Sequence, residues 1–126
     1  MDSFVMTDWL TILGNDGSIV QPASGWLELD HDGQEREDVS FFLEVKQASN
    51  VSMSYETSPN ALQESQFVAI VAPFAMSTGV RVDVASADSV AVPAAGLLRW
   101  RLTSSGGGSF SATFRLAVAA HAYGGG

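Results

Sequence analysis

Val51, Met53, Tyr55 and Thr57 alternate with Ser52, Ser54, Glu56 and Ser58, and the same two-residue beat runs along most of this chain. Successive side chains of a strand point to opposite faces, so the beat encodes sheets with one buried and one exposed face. It returns in Val80-Arg81-Val82-Asp83-Val84 and in Leu98-Arg99-Trp100-Arg101-Leu102. Its longest run sets Phe110, Ala112, Phe114, Leu116, Val118 and Ala120 against Ser111, Thr113, Arg115, Ala117, Ala119 and His121.

Turn chemistry cuts this pattern into short strands. Gly14-Asn15-Asp16-Gly17 ends a first strand over residues 4–13, and Pro22 stops a short one over 18–21. Further strands are expected over 26–30, 39–47, 51–57, 67–72, 79–85, 97–103 and from 110 onward. Residues 67–72 are almost continuously apolar, as in a strand covered on both faces. One helical turn is expected over 59–64, with Ser58 as N-cap and Pro59 at the first helical position. Eight to ten strands with turns every eight to twelve residues describe an all-β antiparallel sandwich, with the jelly roll as the preferred form. At 126 residues, of which 46% are hydrophobic, the chain makes one domain over 1–126 with a real core. Phe41, Leu43, Val45, Met53, Tyr55, Val82, Trp100, Phe114 and Leu116 are expected in that core.

The Gly106-Gly107-Gly108 run reads as the tip of a closing hairpin. That register sets Leu102 against Ala112 and Trp100 against Phe114 inside, and Arg101 against Thr113 and Arg99 against Arg115 outside. Like charges directly opposed are destabilising. Arg99, Arg101 and Arg115 on one outer face would therefore need carboxylates or carbonyls from elsewhere, which marks them as candidate interface residues.

Charge is unevenly distributed. Residues 1–64 hold twelve acids and two bases (Arg36 and Lys46), whereas residues 65–126 hold two acids and four arginines, in a chain of net charge −8. Nucleic acid recruits a basic stripe, and an anionic membrane repels an acidic protein, so neither is an expected partner. The absence of cysteine removes disulfides, thiolate metal sites and a cysteine nucleophile. No apolar run reaches membrane-spanning length, and the N-terminus lacks the basic and apolar regions of a signal peptide, so folding in a reducing cytoplasm is expected.

Catalytic constellations are thin. Asp30-His31-Asp32-Gly33-Gln34-Glu35 places oxygen donors around a glycine, but three positions fall short of a calcium loop, and a solvated loop is expected. His31 and His121 are the only histidines, and no Gly-x-Ser-x-Gly elbow accompanies them. No enzyme activity, metal or cofactor is expected. Of Trp9, Trp26 and Trp100, the last has core parity, and Trp26 beside an acidic strand is the one retained as a sugar platform.

Read as strings, Val51-Ser-Met-Ser-Tyr-Glu-Thr-Ser-Pro-Asn60, Phe67-Val-Ala-Ile70, Leu97-Leu-Arg-Trp-Arg-Leu-Thr103 and Phe110-Ser-Ala-Thr-Phe-Arg-Leu116 resemble the galactose-binding-like (discoidin-type) jelly rolls. They are similar also to small sandwiches of bacteriophage virion proteins. The virion-type resemblance implies a capsid decoration or a head or tail accessory subunit, working through contacts with other protein subunits, including copies of itself. A bare Gly124-Gly125-Gly126 end frays unless a neighbour holds it, so this tail joins the arginines as an expected contact. The discoidin-type resemblance implies the alternative, a carbohydrate-binding module used in attachment.

Overall fold

The computed structural model describes residues 2–28, 36–58, 67–85 and 97–123. They form two antiparallel sheets packed face to face. The strands are β1 (Asp2–Asn15), β2 (Ser18–Val20), β3 (Leu27–Glu28), β4 (Arg36–Ser49), β5 (Val51–Ser58), β6 (Val68–Ala75), β7 (Gly79–Ala85), β8 (Leu97–Ser104) and β9 (Ser109–Tyr123). One sheet runs β1-β9-β4-β7, and the other runs β2-β8-β5-β6 with β3 also paired to β8. The described helical content is a single 3-10 turn, Ala23–Gly25. The helical turn expected over 59–64 lies outside the described residues, as do the acidic loop at 30–35 and the Gly124–Gly126 tail.

Strand pairing is nested. Asp2 pairs with Ala120, Ser18 with Thr103, Val39 with Ala85, and Thr57 with Val68. The described strands thus pair as one long two-stranded ribbon, rolled up so that β4 also meets β9 and β5 also meets β8. That is the jelly-roll connection, in which wrapping a two-stranded ribbon brings its layers together as two sheets.

The alternating apolar positions face inward as the pattern requires. Phe41, Leu43 and Val45 from β4, Met53 and Tyr55 from β5, Trp100 from β8, and Phe114 and Leu116 from β9 are all buried. Aromatic contacts join the two sheets. Tyr55 stacks on Phe41 with centroids 4.1 Å apart, and Trp100 meets Phe114 edge-on at 5.3 Å.

Three expectations are corrected. First, β8 and β9 are not a hairpin. They belong to opposite sheets, so residues 104–109 make a corner, and Trp100 meets Phe114 across the core rather than along a ladder. Gly107 and Gly108, at φ of 80° and 83°, supply the left-handed backbone of that corner. Asn50, at φ 55°, anchors it from the neighbouring β4–β5 corner. Its Nδ2 donates to the carbonyls of Gly107 and Ser109, and its Oδ1 accepts from the Gly106 N–H. Second, Val82 is 54% exposed. Its neighbour Phe42 points outward, and the inward positions of β7 are held by Arg81 and Asp83, which pair with Leu43 and Phe41. Inward charges on an edge strand discourage sheet-to-sheet addition. Third, β6 is an edge strand with Val68, Ala69, Ala72 and Pro73 exposed, not one covered on both faces. Proline is tolerated at such an edge because no ladder donor is lost.

A glutamine repairs the break between β2 and β3. Gln21 is buried; its N–H donates to the Trp100 carbonyl, and its Oε1 accepts from the Trp100 N–H. Its Nε2 donates to Gly25 O and Thr7 Oγ1. One side chain thus stands in for the missing ladder residue.

Trp100→Ala is expected to cost about 3–5 kcal/mol in urea unfolding, the usual loss for a large buried aromatic; a loss under about 1 kcal/mol would contradict its central place. Tyr55 gives a pH-dependent test. Its hydroxyl is buried and has no hydrogen-bond partner among the described residues. Burial pushes its ionisation well above the ordinary value of 10.0; the Asp83 charge adds to this, and Arg81 opposes it. The unfolded chain therefore loses the tyrosine proton first as pH rises. The stability held below pH ~10 should fall above it, by about 1.4 kcal/mol per pH unit from this residue. Tyr55→Phe should remove that slope while leaving stability at pH 7 unchanged or slightly higher, since no described hydrogen bond is lost.

Candidate functional site

The outer faces of the two sheets separate the residues expected together. Arg99 and Arg101 project from β8 on the outside of the second sheet, and Arg115 projects from β9 on the outside of the first. The opposed Arg99–Arg115 pair does not form. Each arginine instead meets carboxylates from the acidic half of the same chain.

On the second sheet, Glu56 lies directly opposite Arg99 and one step diagonally from Arg101. Its Oε1 accepts from Arg99 Nε at 2.7 Å, and its Oε2 accepts from Arg101 Nε at 2.9 Å. The Arg99 side chain is only 3% exposed. Phe67 covers its guanidinium at 3.9 Å from the ring centroid, and Trp26 at 5.2 Å. These two rings meet edge-on at 4.8 Å, and Trp26 Nε1 donates to the Gln21 carbonyl. Trp26, the residue retained as a sugar platform, is thus a lid on an arginine. The cluster ties β5 to β8. Arg101 is one-third exposed and marks its solvent side.

On the first sheet, Arg115 lies between β1 and β4. Its Nε comes within 3.5 Å of Asp8 and its Nη1 within 4.0 Å of Glu44. These are loose ion-pair distances, and Arg115 Nε makes no hydrogen bond to the described residues. Beside it, Lys46 lies over the Trp9 ring at 4.3 Å, linking β4 to β1 across β9.

Apolar side chains occupy the rest of this outer face. The register lines up Val5, Ala117, Phe42 and Val82 as one row across all four strands. Val5 is 42% exposed, Phe42 39% and Val82 54%; Val80 and Val84 beside them reach 74% and 60%. Their exposed area is on the order of 400 Å², within the range of the largest apolar patch on a typical monomer, which is often functional. The β7 parity that contradicted the Val82 expectation is what creates this row. Hydrophobicity pointed Val82 inward, and only the partner register shows it outside.

A cleft of about 230 Å³ opens between β6 and β7, lined by Leu43, Val45, Phe74, Met76 and Arg81 among others. Asp83 binds the Arg81 guanidinium at 2.8 Å, and Phe74 covers it at 3.8 Å. A shallower groove of about 340 Å³ lies by Leu13, Gly14 and Phe110, where a Cβ on Gly14 would run into the Phe110 ring. Among the described residues no group of three His, Cys, Asp or Glu side chains is placed to hold a metal ion, and no helix is long and apolar enough to cross a membrane. His31 lies outside the described residues; His121 falls on β9, paired with Asp38. No family model and no curated protein matches this chain.

The buried triad gives a stability prediction. Glu56→Gln preserves the shape but removes the Glu56 charge from beside the buried Arg99, and should cost up to about 3–5 kcal/mol. Arg101→Ala, at the wet end of the same cluster, should cost no more than about 1 kcal/mol. Equal losses in urea titrations would show that the two arginines share one environment, contrary to the geometry.

Proposed function

We propose that this protein is a non-enzymatic structural subunit of a large particle, of the bacteriophage virion accessory or decoration type, acting through protein–protein contacts. The observation that carries the reading is the exposed row Val5–Ala117–Phe42–Val82 with Val80 and Val84 around it on one outer face of the sandwich. Surface valines and a phenylalanine aligned across four strands are costly to hydrate, and contact with another protein removes that cost. The nested jelly roll supports the reading only as a suitable scaffold, because many functions share this fold. The candidate contact within the proposal moves from the three arginines as a group to the Arg115 face, since Arg99 is spent inside the fold.

The test is co-sedimentation. An antibody against the chain should find it in assembled particles pelleted from lysates of the producing cells, at a fixed ratio to the other subunits. Phe42→Asp, with the fold verified by circular dichroism, should reduce its occupancy at least about tenfold, the effect of truncating an interface anchor. Recovery only as free, low-mass protein would overturn the reading. Saturable binding of that free protein to a glycan array would favour the carbohydrate-binding alternative in its place.

A further inference from the structure

The four-stranded outer face is complementary to itself. Consider a two-fold axis in the plane of contact, parallel to the strands and running between β9 and β4, the two central strands of β1-β9-β4-β7. Such an axis keeps heights along the strands and exchanges left with right, so β9 of one copy covers β4 of the other, and β1 covers β7. The register then dictates the contacts. Arg115 and Glu44 share a height, so each arginine meets the glutamate of the other copy, twice. Ala117 and Phe42 share the next height, so each phenylalanine ring faces a methyl-sized hollow. Val5 shares that height with Val82 across the sheet, so the flanks of the row close valine on valine.

Three observations select a second copy over other occupants. The charged groups of this face balance among the described side chains, Asp8 and Glu44 against Arg115 and Lys46, in a chain of net charge −8. Two acidic molecules can approach here without the repulsion they meet elsewhere. Among the described residues Arg115 makes only loose ion-pair contacts, at 3.5 and 4.0 Å, which leaves donors for a partner carboxylate. Large and small side chains also alternate about the axis, as interdigitating sheets require, and aligned sheets of this kind pack about 10 Å apart with a modest crossing angle that keeps the central rows in register.

We propose that the protein forms an isologous two-fold dimer through the outer face of β1-β9-β4-β7, with Arg115–Glu44 pairs across the axis and the Val5–Ala117–Phe42–Val82 row as its apolar centre. The proposal rests on the reading of the chain as an assembly subunit and names one contact it makes.

A charge-swap experiment tests it with the intact chain. Sedimentation velocity should show a dimer for the wild type at micromolar concentration. E44R and R115E should each dimerise at least about tenfold more weakly, because each variant places like charges opposite one another twice. Mixing the two variants should restore the dimer as a heterodimer, detected by native mass spectrometry, since every cross-axis pair is then opposite in sign. Repair of a pair within one chain cannot produce that result, because neither molecule regains its own partner. A wild type monomeric at about 100 μM overturns the proposal, as does a mixture no more associated than its components. If either variant fails to fold, Val82→Lys, at an exposed site away from the ion pairs, replaces it: a dimer unchanged by that substitution also overturns the proposal. A monomeric wild type that still co-sediments with particles would remove this contact while leaving the assembly reading standing.

Discussion

Every strand pair among the described residues joins the first half of the chain to the second. Because pairing is nested from Asp2–Ala120 to Thr57–Val68, the acidic N-terminal half is laid against the arginine-bearing C-terminal half along its length. The lopsided charge of the sequence is therefore a folding instruction before it is a sign of a partner. Glu56 reaches Arg99 and Arg101, while Asp8 and Glu44 flank Arg115. A slip of one residue in the β5–β8 register would turn either Tyr55 or Trp100 outward and bury that strand's charges against the opposite sheet. Burial of Arg99 penalises any such alternative, because a charge under Phe67 and Trp26 tolerates only a register that supplies its carboxylate.

The alternation of residue types made the fold class and most of the core legible. Phe41, Leu43, Val45, Met53, Tyr55, Trp100, Phe114 and Leu116 all obey it, because a period of two decides which face a side chain takes. The same period says nothing about which strand lies alongside. The Gly106–Gly108 run has the chemistry of a hairpin tip and of a sandwich corner alike, since both need a left-handed backbone. Only long-range pairing separates them. That one ambiguity misplaced Arg99 against Arg115 and gathered three arginines onto a face that does not exist. β7 failed for a different reason: at an edge strand the inward positions are shallow enough for an Arg81–Asp83 pair, so hydrophobicity and burial part company there.

Gln21 and Asn50 left no readable signal because their work is to satisfy backbone groups. Neither stands in a motif; Gln21 precedes a proline that announces a stop, and Asn50 sits in an ordinary turn. Their value comes from carbonyls and amides brought near by folding, such as those of Trp100 for Gln21 and of Gly106, Gly107 and Ser109 for Asn50. Buried or bridging amide side chains are useful there because one group both donates and accepts.

The two outer faces divide the labour of the sandwich. The face bearing Arg99 is closed on itself, with the Glu56 carboxylate shared by two arginines and the aromatic rings turned down onto the Arg99 guanidinium. The face bearing Arg115 is left open, with long ion-pair distances and valines in water. Stability alone does not require that difference, since exchanging the outward valines of β7 for polar residues would disturb no inward packing. An open apolar row persists at a cost in hydration that association relieves. The inward Arg81–Asp83 pair fits the same division: by guarding the β7 edge it discourages growth of the sheet sideways, as the proposed face-to-face dimer requires.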